Sequence, residues 1–322
     1  MRILNTLLRT GVARVLLAGI AGVLLAPPAP AAETLRFAVV PKAMNNPYFD
    51  LARDGCTKRA KELGNVECVY RGPVEHEPAS QVQIIQDLIT QGVDGMAISV
   101  PDADVAVNVI KQARDAGIAA ITFDADSPKS VRQAYIGTDN AEMGRELGRQ
   151  LIQRQPKPGT YITQSGGPAA ENLNDRLKGL NEVLAKAGWK IAPGSPSYCN
   201  DDAALANQQL TDQLTANPNA NAVVPIGGWA LFAPEAYKGF VNANRKRYDS
   251  GELSLVMPDT LRVEVELLQQ GYAQVLVGQR PFEMGEKAMD MLLALKKGQA
   301  VPPVTYVGLD VVTKANAAQF LK

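Results

Sequence analysis

The sequence is poor in several residue types on which enzymes and nucleic-acid-binding proteins depend. Its 322 residues include one histidine, three cysteines and 6% aromatic residues. Histidine is the commonest metal ligand and general base near neutral pH, so a single copy disfavours zinc sites and Ser-His-Asp chemistry. The 33 basic and 33 acidic residues balance, whereas nucleic-acid-binding proteins normally carry a basic excess. We therefore expect no metal site and no nucleic-acid partner.

Nucleotide-binding motifs are also missing. The glycine-rich segment Ser165-Gly166-Gly167 lacks the lysine and serine of a P-loop, and no G-x-G-x-x-G follows a strand-like run. We therefore expect no cofactor. The single histidine, His76, lies in the polar segment GPVEHEP before a helical pattern, and we expect it at the surface.

The first 32 residues predict an export signal. Three arginines accompany an uncharged apolar run at 15–26, and prolines follow it. That run of 12 residues is shorter than the roughly 20 that span a membrane. Ala29 and Ala31 form a small-x-small pattern, so we expect cleavage after Ala31 or Ala32. The mature protein is then expected in the periplasm, where cysteines are able to pair.

The three cysteines fit no zinc or thioredoxin motif. Cys56 falls on the apolar side of a helical pattern, and Cys68 falls in the strand-like run VECVY. A bridge between them and a pair of buried free thiols are both compatible with this placement, because sequence does not show geometry. Cys199 has no obvious partner.

From Glu33 onwards, short β-rich runs alternate with longer helical periods. Strands are predicted at 35–40, 66–70, 95–100, 119–123, 134–137, 160–163, 222–226, 253–257 and 273–277. The runs are apolar on both faces, as strands of a helix-covered parallel sheet are, and the alternation predicts right-handed crossovers. Two smaller sheets suit this length better than one large sheet. The predicted class is α/β with two Rossmann-like lobes.

Polar and aromatic residues follow these strands, where ligands bind in open parallel sheets. They lie in Pro41–Phe49, in 124–126, in 227–229, in 258–259 and in 278–280. Carboxylates, amides and cations together saturate hydroxyl groups, and aromatic faces cover the C–H faces of a sugar ring. The set therefore indicates a polyhydroxylated ligand. Taken singly, Asp259 is also compatible with a helix N-cap, Trp229 with core packing and Lys42 with a surface charge.

The chain resembles the type I periplasmic sugar-binding proteins, in the ribose-binding and quorum-furanose-binding branch. The pieces that carry the resemblance are, in order, VVPKAMNNPYF, QDLITQGVDGMAISV, ITFDAD, YIGTDNAEMG, NDRLKGL and GQRPFEMGEKAMDML. Together they extend over essentially the whole mature chain. The resemblance implies a sugar-binding or polyol-binding component of an ABC importer and no catalytic residues.

Positions that match the family's pocket are implied to bind the ligand. They are Lys42, Asn46, Tyr48, Phe49, Asp124, Arg176, Asp201, Trp229, Asp259 and Gln279. Three positions depart from ribose binders. Ala125 replaces an arginine, Asp201 replaces an aromatic residue, and Gly227 replaces an asparagine. The alanine at 125 argues against ribose itself, and the three departures together leave the identity of the ligand open but not its class.

The family's topology implies three hinge crossings, near 138–140, 279–281 and 308–310. The expected N-lobe is 33–138 plus 280–308, and the expected C-lobe is 139–279 plus 309–322. The expected partners are an ABC permease in the inner membrane and, as an alternative reader of the closed form, a chemoreceptor or sensor kinase. An exported enzyme on the same fold is the less favoured reading. We expect a monomer.

Overall fold

A computed structural model describes residues 34–321, so the predicted export signal lies outside the described residues. The strands are β1 (Leu35–Val40), β2 (Val66–Tyr70), β3 (Gly95–Ile98), β4 (Ala119–Phe123), β5 (Tyr135–Thr138), β6 (Thr160–Ile162), β7 (Gln164–Ser165), β8 (Lys190–Ile191), β9 (Ser197–Tyr198), β10 (Ala222–Val223), β11 (Ser254–Pro258), β12 (Val275–Gly278), β13 (Val304–Val307) and β14 (Asp310–Val312).

The helices lie between these strands and cover the sheets. They are α1 (Tyr48–Leu63), α2 (Pro78–Thr90), α3 (Ala106–Asp115), α4 (Asn140–Arg154), α5 (Glu171–Lys186), α6 (Ala203–Ala216), α7 (Pro234–Ala243), α8 (Arg245–Asp249), α9 (Arg262–Gln269) and α10 (Pro281–Lys296). Short 3-10 helices follow at Trp229–Phe232 and Ala317–Phe320. None of the helices within 34–321 is both long and apolar enough to cross a membrane.

Two six-stranded sheets have the same strand order. The first runs β2-β1-β3-β4-β5-β13 and the second runs β8-β6-β10-β11-β12-β14. We use N-lobe for the first sheet with α1, α2, α3 and α10, and C-lobe for the second sheet with α4 to α9. Each sheet contains the doubly wound order in which ligands bind at the carboxyl ends of the strands. The predicted class of two Rossmann-like α/β lobes is confirmed.

The chain passes between the two sheets three times. It does so between β5 and α4, between β12 and α10, and between β13 and β14. The last passage produces the one departure from parallel pairing among the described strands, because β14 runs antiparallel to β12 whereas β13 runs parallel to β5. The three passages contact one another, because the Thr138 hydroxyl donates to Gln279 at 2.9 Å and Arg280 donates to Asp310 at 2.8 Å.

Five short strands were not predicted from the sequence. They are β7, β8, β9, β13 and β14. β7, β8 and β9 are two residues long, and β8 contains a charged residue and is exposed. The extended conformation of these two-residue strands comes from pairing with a neighbour and not from an apolar run, so the sequence carries no periodic signal for them. β13 and β14 are richer in valine, threonine and tyrosine, which favour strands.

In the N-lobe, helices α1 and α10 cross at reciprocal glycines. Gly55 of α1 lies against the carbonyl of Phe282, and Gly285 of α10 lies against the carbonyl of Ala52. A Cβ at either glycine would overlap the facing backbone oxygen. The two helix backbones therefore touch, which only glycine permits.

The C-lobe repeats this arrangement with α4 and α5. Gly144 of α4 lies against the carbonyl of Arg176, and Gly179 of α5 lies against the carbonyl of Ala141. The two lobes therefore share the packing of their covering helices as well as the strand order of their sheets. In this lobe, however, one of the contacted residues, Arg176, also lines the cleft.

A disulfide ties the N-lobe together. It joins Cys56 in the middle of α1 to Cys68 in β2, with the two Cα atoms 5.9 Å apart, a spacing typical of disulfides. Of the two readings left open by the sequence, the structure shows the bridged one. Cys199 is buried and unbridged in the C-lobe.

Candidate ligand-binding site

One cavity lies between the carboxyl ends of the two sheets and brings together all ten predicted site residues. Its empty volume, including its opening to solvent, is about 340 Å³. Its lining consists of Lys42, Asn46, Tyr48, Phe49, Asp124, Arg176, Asp201, Trp229, Asp259 and Gln279, together with Asn172, Leu173, Gly227 and Phe232. Both lobes contribute to it.

The three carboxylates of the cavity share a backbone conformation. Asp124, Asp201 and Asp259 have φ of 58°, 61° and 67°. Within 34–321 the only other non-glycine residue with positive φ is Asn200. This left-handed conformation costs free energy for most residues, and Asp and Asn tolerate it best. Such strain tends to collect at functional sites.

Two of these carboxylates occupy equivalent positions in the two lobes. Asp124 directly follows β4, and Asp259 directly follows β11, which hold the same place in their sheets. The left-handed turn after each strand aims the side chain across the strand end and into the cleft. The pseudo-symmetric fold therefore places one carboxylate on either side of the cavity.

On the N-lobe side, Lys42 and Asp124 form a buried polar pair. The Asp124 carboxylate accepts a hydrogen bond from the Ser99 hydroxyl at 2.6 Å, and the Lys42 Nζ lies 3.7 Å from the same oxygen. The Lys42 Nζ also donates to the Oδ1 of Asn172 at 3.0 Å. Because Asn172 belongs to α5 of the C-lobe, this bond crosses the cleft.

On the C-lobe side, Arg176 organises a network at the hinge. Its guanidinium donates to Asn140 Oδ1 at 2.7 Å, to the Ile226 carbonyl at 3.1 Å and to Gln279 Oε1 at 2.6 Å. Gln279 in turn donates to Asp259 Oδ1 at 2.8 Å. Three neutral acceptors thus hold a full positive charge in place, and its field acts on Asp259.

Aromatic side chains enclose the cavity from both lobes. Tyr48 and Phe49 stand edge to face, with ring centroids 5.1 Å apart, in the N-lobe. Trp229 and Phe232 come from the C-lobe 3-10 helix. A Cβ on Gly227 would lie 2.5 Å from the Trp229 ring, so the indole fills the space that a side chain at 227 would take. The glycine at this position is therefore what admits the tryptophan.

Two equally buried carboxylates have pKa values shifted in opposite directions. Burial raises the pKa of Asp259, and the nearby Arg176 and the hydrogen bond from Gln279 offset this only in part. Burial also acts to raise the pKa of Asp201, but hydrogen bonding to His76 and the charge of Lys42 outweigh it, and the net pKa is lowered. Burial and the charge of Asp124 raise the pKa of Tyr48 well above its usual value, which keeps this hydroxyl a donor.

A fourth carboxyl group lies behind the cavity, and the sequence reasoning did not find it. Glu264 of α9 is fully buried, and one of its oxygens accepts from the backbone N–H of Leu261 at 2.6 Å. Its other oxygen has no hydrogen-bond partner and lies against Gly228. Burial and the neighbouring charge of Asp259 raise the pKa of Glu264 well above its usual value.

The prediction that His76 is a surface residue is wrong. Its side chain is 8% exposed, and its Nδ1 lies 2.9 Å from the Oδ2 of Asp201 across the cleft. The segment that carries His76 is polar and lies outside any helix or strand, which is why it reads as an exposed loop. The C-lobe covers it, and no local pattern in the sequence reports that contact.

The single-residue alternatives can now be resolved. Asp259 is not the N-cap of α9, which begins after Leu261. Lys42 is 3% exposed, so it is not a solvated surface charge. Trp229 both packs in the C-lobe hydrophobic core and lines the cavity. Asn172 was missed although it precedes Arg176 by four residues on α5, a spacing that places both on one face of a helix. This four-residue spacing is the sequence signal from which Asn172 could have been predicted.

The donor set suits a neutral hydroxylated molecule better than a metal. Among residues 34–321 there is no cluster of three or more His, Cys, Asp or Glu side chains that could hold a metal ion. Each cavity carboxylate already accepts a hydrogen bond or faces a cation, and amide and hydroxyl groups lie between them. Such a surface offers alternating donors and acceptors, which is what ligand hydroxyls require.

The fold and this interlobe cavity define a two-lobed solute-binding protein, and comparison with known proteins agrees. Residues 37–300 match the periplasmic binding protein domain family, and the chain belongs to that family. It is similar to an ABC transporter solute-binding protein from Burkholderia graminis solved in complex with D-arabinose, with 32% identity and a TM-score of 0.83. That likeness covers 91% of this chain and 100% of the other.

Two further relatives are sugar-binding proteins by name. The D-ribose/D-allose-binding protein of Pseudomonas aeruginosa is 27% identical over 82% of each chain. The ribose import binding protein of Escherichia coli is 24% identical over 86% of this chain and 90% of that protein. These relatives are binding proteins of transport systems and not enzymes, which confirms the prediction that the chain has no enzymatic role.

Proposed function

We propose that this protein captures a single sugar or a polyol of similar size between its lobes and delivers it to the permease of an ABC importer. The observation that carries the proposal is the cavity itself, where two carboxylates from equivalent strand ends, a buried lysine, a buried arginine and four aromatic rings surround a small space. The relatives that bind D-ribose, D-allose and D-arabinose support the ligand class.

The proposed binding residues are the ten predicted ones and, in addition, Asn172. Ligand hydroxyls would bridge Asp124 and Asp259, and the rings of Tyr48, Phe49 and Trp229 would cover the apolar faces of the sugar. Because the contacts come from both lobes, ligand favours the closed arrangement through its additional contacts there. Bending at the three passages between the sheets would then open and close the cleft.

A thermal-shift screen tests the binding proposal. The mature protein is refolded to remove ligand carried from expression and is then mixed with pentoses, hexoses, polyols, inositols and sugar acids. Ligand at 100 times its Kd adds about 2.7 kcal/mol, a shift of several degrees for lobes of this size. Asp124→Asn should abolish the shift, while Asp115→Asn on the exposed face of α3 should keep it. A flat response to the whole panel would refute a carbohydrate ligand.

Export and delivery are tested in cells. We propose that residues 1–32 are a signal peptide, so mass spectrometry of the periplasmic protein should find an N-terminus at Ala32 or Glu33. Deleting the gene should abolish uptake of the radiolabelled ligand at micromolar concentration. Normal uptake combined with lost chemotaxis towards the same ligand would instead support a role with a chemoreceptor. We also propose that the protein is a monomer, which sedimentation measures directly.

A further inference from the structure

The only histidine of the sequence joins the two lobes at a point that the cavity itself does not include. Its N-lobe segment is firmly anchored. The backbone N–H of Met44 donates to the Pro73 carbonyl at 2.8 Å, and that of Asn45 donates to the Val74 carbonyl at 3.0 Å. Just beyond, Glu77 caps the N-terminus of α2 through its side chain. His76 therefore projects from a fixed loop.

Two contacts seat the His76 ring on the C-lobe. Nδ1 lies 2.9 Å from Asp201 Oδ2, and the ring lies over Gly167, where a Cβ would come within 2.7 Å of Nε2. The side chains of His76 and Asp201 are 8% and 5% exposed. A buried hydrogen bond to a carboxylate contributes more than an exposed one, because water does not compete for it.

Asp201 is shared between this contact and the cavity. Its Oδ2 faces His76, while its Oδ1 lies against Gly166. Asp201 lines the cavity, but His76 does not. The same carboxylate thus contacts the opposite lobe through His76 and also borders the cavity.

We propose that His76 is a latch and positioning residue: it pairs with Asp201 only when the lobes close, and it thereby holds Asp201 towards the ligand and slows ligand release. This rests on the proposed function, since it concerns the same cavity. A contact that forms only on closure stabilises the closed state after ligand has entered. Its loss should therefore appear in the dissociation rate more than in the association rate.

The test is stopped-flow binding with D-ribose, D-allose or D-arabinose, whichever shifts the wild-type melting temperature most. His76→Ala should raise koff about tenfold or more, the effect of one buried hydrogen bond to a charge, and should change kon less than about threefold. His76→Asn places an amide donor near the position of Nδ1 and should recover most of the lost affinity. Glu75→Gln, next to it and exposed, is the matched control and should match wild type.

A second readout uses the fact that the sequence has one histidine. Protein labelled with ¹⁵N-histidine and purified through a histidine-free tag gives imidazole signals from His76 alone. Ligand should move the wild-type Nδ1 resonance, and Asp201→Asn should reduce that movement. Recorded with each protein saturated with ligand, this readout reports the pairing and not the affinity.

The outcomes separate the two proposals. If none of the three sugars binds wild type, the proposed function fails for these sugars and the latch fails with it. If a sugar binds wild type but His76→Ala leaves koff unchanged, or the Nδ1 resonance does not respond to ligand, the latch alone is refuted. A His76→Asn variant as impaired as His76→Ala would also refute it, because the hydrogen bond would then not be the cause.

Discussion

The two lobes pack their covering helices in the same way, but the helix crossing has different neighbours in each lobe. Each covers one face of its sheet with two helices that touch at reciprocal glycines, Gly55 with Gly285 and Gly144 with Gly179. In the N-lobe the crossing lies beside a disulfide at Cys56. In the C-lobe it lies beside Arg176, which reaches the cavity.

The same helix crossing is therefore expected to have different roles in the two lobes. In the N-lobe, a substitution at the crossing should mainly lower the free energy of unfolding. In the C-lobe, the equivalent substitution should also weaken ligand binding. The carbonyl that Gly144 contacts belongs to Arg176, which donates to Gln279 and whose charge acts to lower the pKa of Asp259.

The largest expected effect is removal of the N-lobe disulfide. Cys56→Ala with Cys68→Ala should lower the free energy of unfolding by about 3 kcal/mol, because the bridge closes a short loop of the unfolded chain. Sugar affinity should stay within about twofold, since neither cysteine lines the cavity. Urea unfolding and calorimetric titration measure the two quantities. Cys199→Ala, in the C-lobe, is the control for loss of a buried sulfur, and an equal loss of stability there would contradict the prediction.

The next effect distinguishes the two helix crossings. Gly144→Ala and Gly285→Ala should each cost about 2 kcal/mol, because the new Cβ forces the helix backbones apart. Only Gly144→Ala should also weaken ligand binding, by about tenfold, through displacement of Arg176, whose carbonyl Gly144 contacts. Equal affinities for the two variants would show that the C-lobe crossing does not position the guanidinium.

A smaller effect concerns Gly227 and the indole beside it. Gly227→Ala should displace Trp229 and weaken ligand binding by about tenfold, or about 1.4 kcal/mol. The fluorescence of Trp229 in the ligand-bound protein should change as well. Gly239→Ala, in a helix of the same lobe with no atom near its Cβ position, is the matched control. It should bind normally and be slightly more stable, because alanine favours the helix.

The smallest effect is the opposite pH dependence of two C-lobe carboxylates. The pKa of Asp201 is lowered, so its contribution to stability is present above the ordinary pKa of about 3.9 and is lost as pH falls below it. The pKa of Asp259 is raised, so its contribution is present below that value and is lost as pH rises. Asp201→Asn should therefore become less destabilising towards pH 3, and Asp259→Asn less destabilising towards pH 7.

Urea unfolding between pH 3 and pH 7 measures this pair of trends, with differences on the order of 1 kcal/mol. Asn keeps the side-chain shape and tolerates the left-handed backbone at both positions, so the substitution changes charge with little strain. Trends of the same sign at the two sites would show that burial alone governs both carboxylates.

Much of the fold was predictable because its central strands are continuous apolar runs. β1 and β4 were predicted with the bounds that the structure gives them, since runs covered on both faces leave a strong signal. The edge strand β2 was also predicted with its observed bounds, because valine and tyrosine favour strands. Asp124 and Asp259 were predicted as site residues for the related reason that polar residues after such strands collect at one edge of a sheet.

What the sequence did not disclose depends on contacts between distant segments. The burial of His76 arises from residues 125 positions away, and no local period encodes it. Glu264 was not singled out because its place on α9 is ordinary and only its position behind Asp259 makes it unusual. The left-handed turns at the three carboxylates likewise depend on how each strand end meets its neighbours.

Those left-handed turns limit how the specificity of this cleft can change. At positions 124, 201 and 259 the backbone conformation admits Asp, Asn and Gly at low cost and penalises longer or β-branched side chains. Single substitutions there can remove a charge or open a gap, but they cannot readily extend the reach of a side chain. New ligands are therefore easier to acquire at positions 42, 172 and 229, where the backbone imposes no such restriction, and directed evolution of this cleft should begin with libraries at those three sites.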